Sequence, residues 1–321
     1  MSKRFDVTTV GSTMLRLSVQ PGERLETAPM YEVRTAGTES NTMVALARMG
    51  RQTAWVSRLT DNALGRRVAR EIGHHGVDVS RVVWTTEARN EVFFVEAGAS
   101  PRPTQVIYDR SHSAVASMQT AELDLDFLLD TRILHLSGIL PALSEQCLQV
   151  TRDLVQAARS AHVPVSFDVN YRAKLWSPQQ AARSLEPLMQ GADYLFLTRE
   201  DAGQVFGLQG EPEQLVRSCS DRFGAGLCVV TLGGEGGVAW DGHDLHKCSG
   251  YPVEAQDRLG AGDCFAAGVL CGVLEGSVSQ GMAFGAAMAA LKLGIRGDYF
   301  VSDRAEVLRL LDSAPGREVG R

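Results

Sequence analysis

The chemistry in this chain centres on Asp257-Arg258-Leu259-Gly260-Ala261-Gly262-Asp263, which leads directly into the apolar run Cys264–Leu274. Gly260 and Gly262 permit a tight turn that aims successive backbone N–H groups at one point. The run behind them is long enough for three helical turns. A helix starting here carries unpaired N–H groups and partial positive charge at its first turn. That arrangement suits a phosphate. Asp263 is then out of place, because a carboxylate beside a phosphate repels it unless it has a task there. Two readings stand on the spacing alone. Asp263 caps a buried helix, or it acts as a general base on a hydroxyl held next to the phosphate.

The elements needed to position this turn follow from composition and pattern. The chain has 321 residues, 44% hydrophobic and 22% charged, with a formal net charge of -6. Those values suit a soluble globular protein, and a mildly acidic one has no global attraction for nucleic acid or anionic membrane. Anionic ligands must therefore meet local cations, helix N-termini or a metal. The six cysteines contain no C-x-x-C pair, and the opening Met-Ser-Lys-Arg-Phe-Asp lacks an apolar signal core. Both point to a cytoplasmic protein. The apolar runs near 264–274 and 281–291 are too short to span a bilayer.

Strands are expected at Phe5–Val10, Thr53–Arg58, Ile133–Leu136, Val163–Val169, Tyr194–Leu197 and Leu227–Leu232. Helices are expected near 38–50, 63–72, 145–160, 178–189, 212–219, 278–293 and 303–312, with a hairpin near 237–248. This alternation implies a doubly wound, mainly parallel α/β sheet with helices on both faces. Short strands at Met14–Val19, Tyr31–Thr35, Val82–Trp84, Val92–Glu96 and Gln105–Tyr108 read as β excursions from it. One large domain over 1–313 is expected, with inserted β segments at about 12–36 and 90–112 forming a small lid, and a loose tail at 314–321.

The Asp257–Asp263 stretch resembles the D-T-x-G-A-G-D signature of the ribokinase-like (PfkB) sugar kinases, with Arg258 in the Thr position. A second stretch, Ala36-Gly37-Thr38-Glu39-Ser40-Asn41 before a helix ending at Gly50, is similar to the family's N-terminal signature. Two motifs more than two hundred residues apart are together fairly specific. The resemblance implies a ribokinase-like fold with a small β-sheet lid. It implies an anion hole at Gly260, Ala261 and Gly262, Asp263 as the base, and sugar contacts from Gly37 and Asn41. Thr231-Leu-Gly233-Gly234-Glu-Gly236 matches the family's nucleotide-phosphate loop, T-x-G-x-x-G. A dinucleotide fingerprint would need a helix directly after Gly236, whereas the residues there read as a strand. Asn170 and Thr198 are implied on the ATP side. Asp201 stands where the family places an acidic residue that organises Mg²⁺ through water, although an acidic first helical turn is also common for structural reasons. The cofactors implied are ATP and Mg²⁺, with room for a monovalent cation.

The arginines speak to the substrate. Tyr108 and Arg110, two apart on a strand, share a face. Arg172 leaves the C-terminal end of a parallel strand, where open α/β sheets bind ligands. Two guanidinium groups in one cleft suit a carboxylate, while a single Arg more often forms a solvated surface pair. Tyr108-x-Arg110 and the Asp168-x-Asn170-x-Arg172 run resemble the 2-keto-3-deoxygluconate kinase branch, in which both arginines bind the sugar-acid carboxylate. Phe93 replaces a Tyr often found there, and Asp298 resembles a position at the substrate end. The resemblance thus implies phosphorylation of the C6 hydroxyl of a keto-deoxy sugar acid, by an enzyme that dimerises or assembles further through its lid. A neutral-sugar kinase and a non-catalytic binding regulator are the alternatives.

Overall fold

The computed structural model describes residues 3–98 and 101–313, so the expected tail at 314–321 lies outside the described residues. Eight strands form the central sheet, in the order Leu245–Ser249, Gly236–Trp240, Leu227–Thr231, Tyr194–Thr198, Val165–Asp168, Thr131–Ser137, Phe5–Val10 and Thr53–Val56. The last six in that order are mutually parallel, and the Gly236–Trp240 and Leu245–Ser249 hairpin adds antiparallel strands at one end.

Alternate strand residues feed two separate cores. Leu134, Leu136, Phe167, Leu195, Leu197, Cys228 and Val230 pack on one face with the helices Glu145–Ser160, Pro178–Met189 and Pro212–Phe223. Val7, Trp55, Ile133, Phe196 and Val229 pack on the other with Thr38–Arg48, Ala63–His74, Ala261–Leu274 and Val278–Leu293. Burial on both faces explains why these strands read as continuous apolar runs. The helices Ala261–Leu274 and Val278–Leu293 approach closely because Gly268, Gly272, Gly281 and Gly285 leave no side chain between them.

A separate four-stranded sheet, in the order Glu32–Ala36, Met14–Ser18, Val92–Glu96, Gln105–Asp109, forms the lid. Val83–Thr85 is not part of it. That segment pairs in parallel with Arg58–Thr60 as a two-stranded ribbon, held by Val83 N–H donating to Ser57 O at 2.8 Å. The pattern reading gave Val82–Trp84 a strand correctly but could not show that its partner precedes it by only 25 residues, Arg58 facing Val83.

Two boundaries shift for capping reasons. The helix expected from Cys264 begins at Ala261, with Gly260 as its N-cap at φ +84°. A short helix, Arg199–Phe206, follows Tyr194–Thr198 behind a reciprocal cap between Thr198 and Asp201. No helix among the described residues is long and apolar enough to cross a membrane.

Candidate active site

Gly260 supplies no capping side chain, so the first-turn amides of Ala261, Gly262 and Asp263 have no side-chain partner there. Of the two glycines, only Gly260 needs its backbone freedom. Its φ is +84°, and a Cβ would also collide with the Asp298 carbonyl oxygen. A Cβ on Gly262 would meet nothing within 4 Å. That open space lies on the approach to the helix N-terminus.

Asp263 is buried and saturated with donors. Thr38 Oγ1 donates to one carboxylate oxygen at 2.6 Å, and Asn41 Nδ2 donates to the other at 2.6 Å. Burial raises its pKa, opposed by these two hydrogen bonds and by the charge of Arg172. Thr38 and Asn41 lie one turn apart on the Thr38–Arg48 helix, which packs against the Ala261–Leu274 helix. Gly37 caps that helix in an extended conformation. Its need for glycine is space, since a Cβ would strike Ser12 O and the Thr13 side chain. The two sequence motifs therefore meet in direct contact. Asn170, at φ +42°, completes the chain by donating to Thr38 Oγ1 at 2.8 Å and to Asp168 at 3.1 Å.

Asp263, Gly260, Gly37, Asn41, Phe93, Tyr108, Arg110, Arg172 and Asp298 line one cleft of about 80 Å³ between sheet and lid. Phe93 is buried and stacked on Tyr108, with ring centroids 5.7 Å apart at 22°. The Arg110 guanidinium lies 4.1 Å from the Tyr108 ring centre. Its Nη1 is buried with no hydrogen-bond partner among the described residues. Burial lowers the Arg110 pKa; Glu91 counters this and Arg172 adds to it. Arg172 is exposed, and among the described residues its guanidinium bonds only to its neighbour's carbonyl, Tyr171 O, at 3.1 Å.

Asp298 lines the cleft, but its carboxylate is engaged within the protein. Buried Arg16 on the lid strand bonds Asp298 at 2.5 Å and Asp257 at 2.7 Å. Asp257 also accepts from Leu259 N–H at 3.2 Å and Gly297 N–H at 3.1 Å. The first Asp of the signature thus ties lid, anion turn and the 294–298 turn together. Burial pushes Asp298 up to about 6 despite Arg16.

Across the sheet from the lid-side cleft, Thr231 ends its strand, and Gly233 and Gly236 take φ +61° and +106° in the turn that follows. The next element is the strand Gly236–Trp240, so the dinucleotide fingerprint is excluded. Beside this loop a cleft of about 610 Å³ is lined by Tyr251, Pro252, Val253, Ala286, Ala290 and Leu310. Asp201 spends one oxygen on the Thr198 N–H as a cap. No group of three or more His, Cys, Asp or Glu suited to a metal occurs among the described residues.

Sequence reasoning did not single out Thr38, Arg16, Asp168, Glu39 or the apolar cleft. Thr38 sits inside a quoted motif and could have been found as a donor at a helix start. Arg16 pairs across more than two hundred residues and carries no local signal. Glu39 is fully buried, accepts from Ser137 Oγ at 2.5 Å, and is pushed up to about 8 by burial.

The pfkB family carbohydrate kinase model matches residues 4–304, and the chain belongs to that family. It is 40% identical over 307 residues to a 2-dehydro-3-deoxygalactonokinase of Haloferax volcanii, covering 95% of this chain and 96% of that one. It is 31% identical over 299 residues to a 2-dehydro-3-deoxygluconokinase of Bacillus subtilis, covering 92% and 91%. The solved structure of a 2-dehydro-3-deoxygluconokinase from Thermotoga maritima superposes with a TM-score of 0.92 at 30% identity, over 96% of this chain and 98% of that one. The fold is accordingly ribokinase-like.

Proposed function

We propose that this kinase transfers the γ-phosphoryl group of ATP to the C6 hydroxyl of a 2-keto-3-deoxy sugar acid, the gluconate or the galactonate form. The observation that carries the acidic substrate is that Arg110, whose buried Nη1 has no partner among the described residues, lines the same cleft as Arg172. A buried donor without a partner is costly, and two guanidinium groups at one cleft repel. A carboxylate between them relieves both. The names of the relatives agree with this reading. A neutral sugar would offer Arg110 a hydroxyl oxygen but no opposite charge.

In this reading the sugar's C6 hydroxyl lies against Asp263, which accepts its proton as the phosphoryl group transfers in line. Thr38 and Asn41 hold the carboxylate still, and its raised pKa makes it a stronger base than an ordinary Asp. The first-turn amides at Ala261 and Gly262 face the phosphoryl oxygens. Thr231, Gly233 and Gly236 line the path of the other phosphates, with Asn170 and Thr198 at its edge. The apolar cleft at Tyr251–Val253 suits the adenine ring. Magnesium, when bound, would neutralise phosphate charge. Asp168 and Asp201 fit it, because Mg²⁺ takes one or two carboxylates plus phosphates and waters. Burial and neighbouring carboxylates push Asp168 up to about 7, and burial raises Asp201. A cation would relieve that cost.

The cleft of about 80 Å³ shares Tyr108 and Arg110 with an adjoining cavity of about 880 Å³, which gives a sugar acid a way in from that side. The lid also supports dimerisation. Its edge strand Gln105–Asp109 pairs on one side only among the described residues; Ile107 on that strand is exposed, as are Met30 and Tyr31 just before the opposite edge strand Glu32–Ala36. Edge strands of this kind favour pairing with a second copy. An ADP-release assay over sugar acids and neutral sugars tests the substrate. The keto-deoxy sugar acids should give the highest kcat/KM. A preference for fructose or ribose would overturn the reading.

A further inference from the structure

Lys292 stands on the last turn of the Val278–Leu293 helix, and its side chain is fully buried. Lysine is almost never fully buried without a charged partner, yet no carboxylate lies within ion-pair distance of it among the described residues. Its ammonium instead donates to two backbone carbonyls, Asp257 O and Ile295 O, each at 3.3 Å. Those carbonyls belong to the two loops that build the anion turn. Gln256 N–H donates to Leu293 O at 2.8 Å, Gly297 N–H donates to the Asp257 carboxylate at 3.1 Å, and Gly260 packs on the Asp298 carbonyl. Two carbonyls converging on one point between loops make a place for a small monovalent cation. Here that place is filled covalently.

We propose that the Lys292 ammonium is a tethered cation that fixes the anion turn, and that phosphoryl transfer in this enzyme needs no free monovalent cation. A separate potassium or ammonium ion does not fit beside it, because a second positive charge would share the same two carbonyls and a desolvated site. Lys292 touches neither sugar nor phosphate in this arrangement, so it is a positioning residue. Its removal should loosen the geometry of Ala261–Asp263 without removing any substrate contact. This inference rests on the placement of the γ-phosphate at that turn.

The test compares wild type, Lys292→Ala and Lys292→Met in tetramethylammonium, potassium and ammonium chloride at equal ionic strength. Wild type should turn over within about twofold in all three salts. Lys292→Ala should lose at least about tenfold in kcat in tetramethylammonium, as expected for a charged hydrogen-bond donor, with the sugar KM little changed. Potassium or ammonium should restore much of that loss and raise the thermal midpoint of the Ala variant alone, since a ligand bound only to the folded state stabilises it. Lys292→Met, which fills the volume, should show neither rescue. Strong potassium activation of wild type would overturn the proposal, and that result does not depend on how any variant folds. So would a folded Ala variant whose midpoint and kcat both ignore the two cations. Failure of the γ-phosphate placement would look different: the midpoint of Lys292→Ala would respond to potassium while its kcat stayed at the wild-type value in every salt, which marks Lys292 as structural only.

Discussion

The two ends of the cleft are built on opposite principles. At one end, each oxygen of Asp263 accepts from a protein donor, Thr38 or Asn41. At the lid end, Arg110 keeps a buried Nη1 with no partner, and Arg172 bonds only a neighbouring carbonyl, among the described residues. A group that must work on many molecules in turn is held in place before substrate arrives. A group that must recognise one kind of molecule is left wanting what that molecule brings. On the proposed function, side-chain satisfaction therefore separates the reacting end from the recognising end.

The largest effect should come from breaking the satisfied end. Asp263→Asn keeps the shape but cannot accept a proton, and losing general-base help typically costs on the order of 10²–10⁴ in rate. Expected is a collapse of kcat with ATP binding nearly intact, read by single-turnover kinetics and nucleotide titration. Near-normal turnover would leave Asp263 as a helix cap. Because burial raises this carboxyl, wild-type kcat/KM should fall as pH drops through a value above the usual Asp range.

Arg110→Leu or Arg172→Leu should act on KM. A charged hydrogen bond contributes about 1.5–3 kcal/mol, so roughly a 10- to 150-fold rise is expected for the sugar acid. Residual activity on a neutral sugar should change far less. Equal losses on both would make the arginines structural and erase the contrast between the two ends. Arg172→Lys should rescue in part, since an ammonium lacks the bidentate fork.

Sequence signals were strongest where a backbone need recurs locally. The Gly260–Asp263 turn, the Gly37 cap and the Thr231–Gly236 loop were legible because turns and helix starts restrict residue type. Strand alternation between two cores was legible as apolar runs. Arg16, bridging Asp257 and Asp298 across the lid junction, was not, because a lone Arg in a strand looks the same exposed or buried. Lys292 was hidden for the same reason, inside a helix of small residues. Nor could spacing show that Gly260 and Gly262 do different things.

Those two glycines sharpen the comparison further. Gly260→Ala forces a side chain into a left-handed conformation and against Asp298 O. A destabilisation of about 1–3 kcal/mol or more follows, visible as a lower thermal midpoint. Gly262→Val should leave the midpoint near wild type, because its Cβ meets nothing within 4 Å, and should lower turnover by crowding the phosphate. A Gly262→Val enzyme with normal turnover would place the γ-phosphate elsewhere.

The smallest effect is expected at Glu39, which is buried behind Asp263. Burial pushes its carboxyl up to about 8, so near pH 7 it is mostly protonated and adds little negative charge beside the base. Glu39→Gln should therefore keep kcat within a few-fold, in contrast to Asp263→Asn. Stability gives an independent readout. Between an unfolded value near 4.3 and the folded value, the native state holds a proton that the unfolded chain has released. Stability then falls as pH rises through that window. The glutamine variant has no proton to hold at this position, so its thermal midpoint should decline less between pH 5 and pH 8 than that of wild type. Parallel declines, or a hundredfold loss of kcat, would mean that Glu39 is ionised in the folded enzyme. The satisfied end of the cleft would then contain a second working carboxylate.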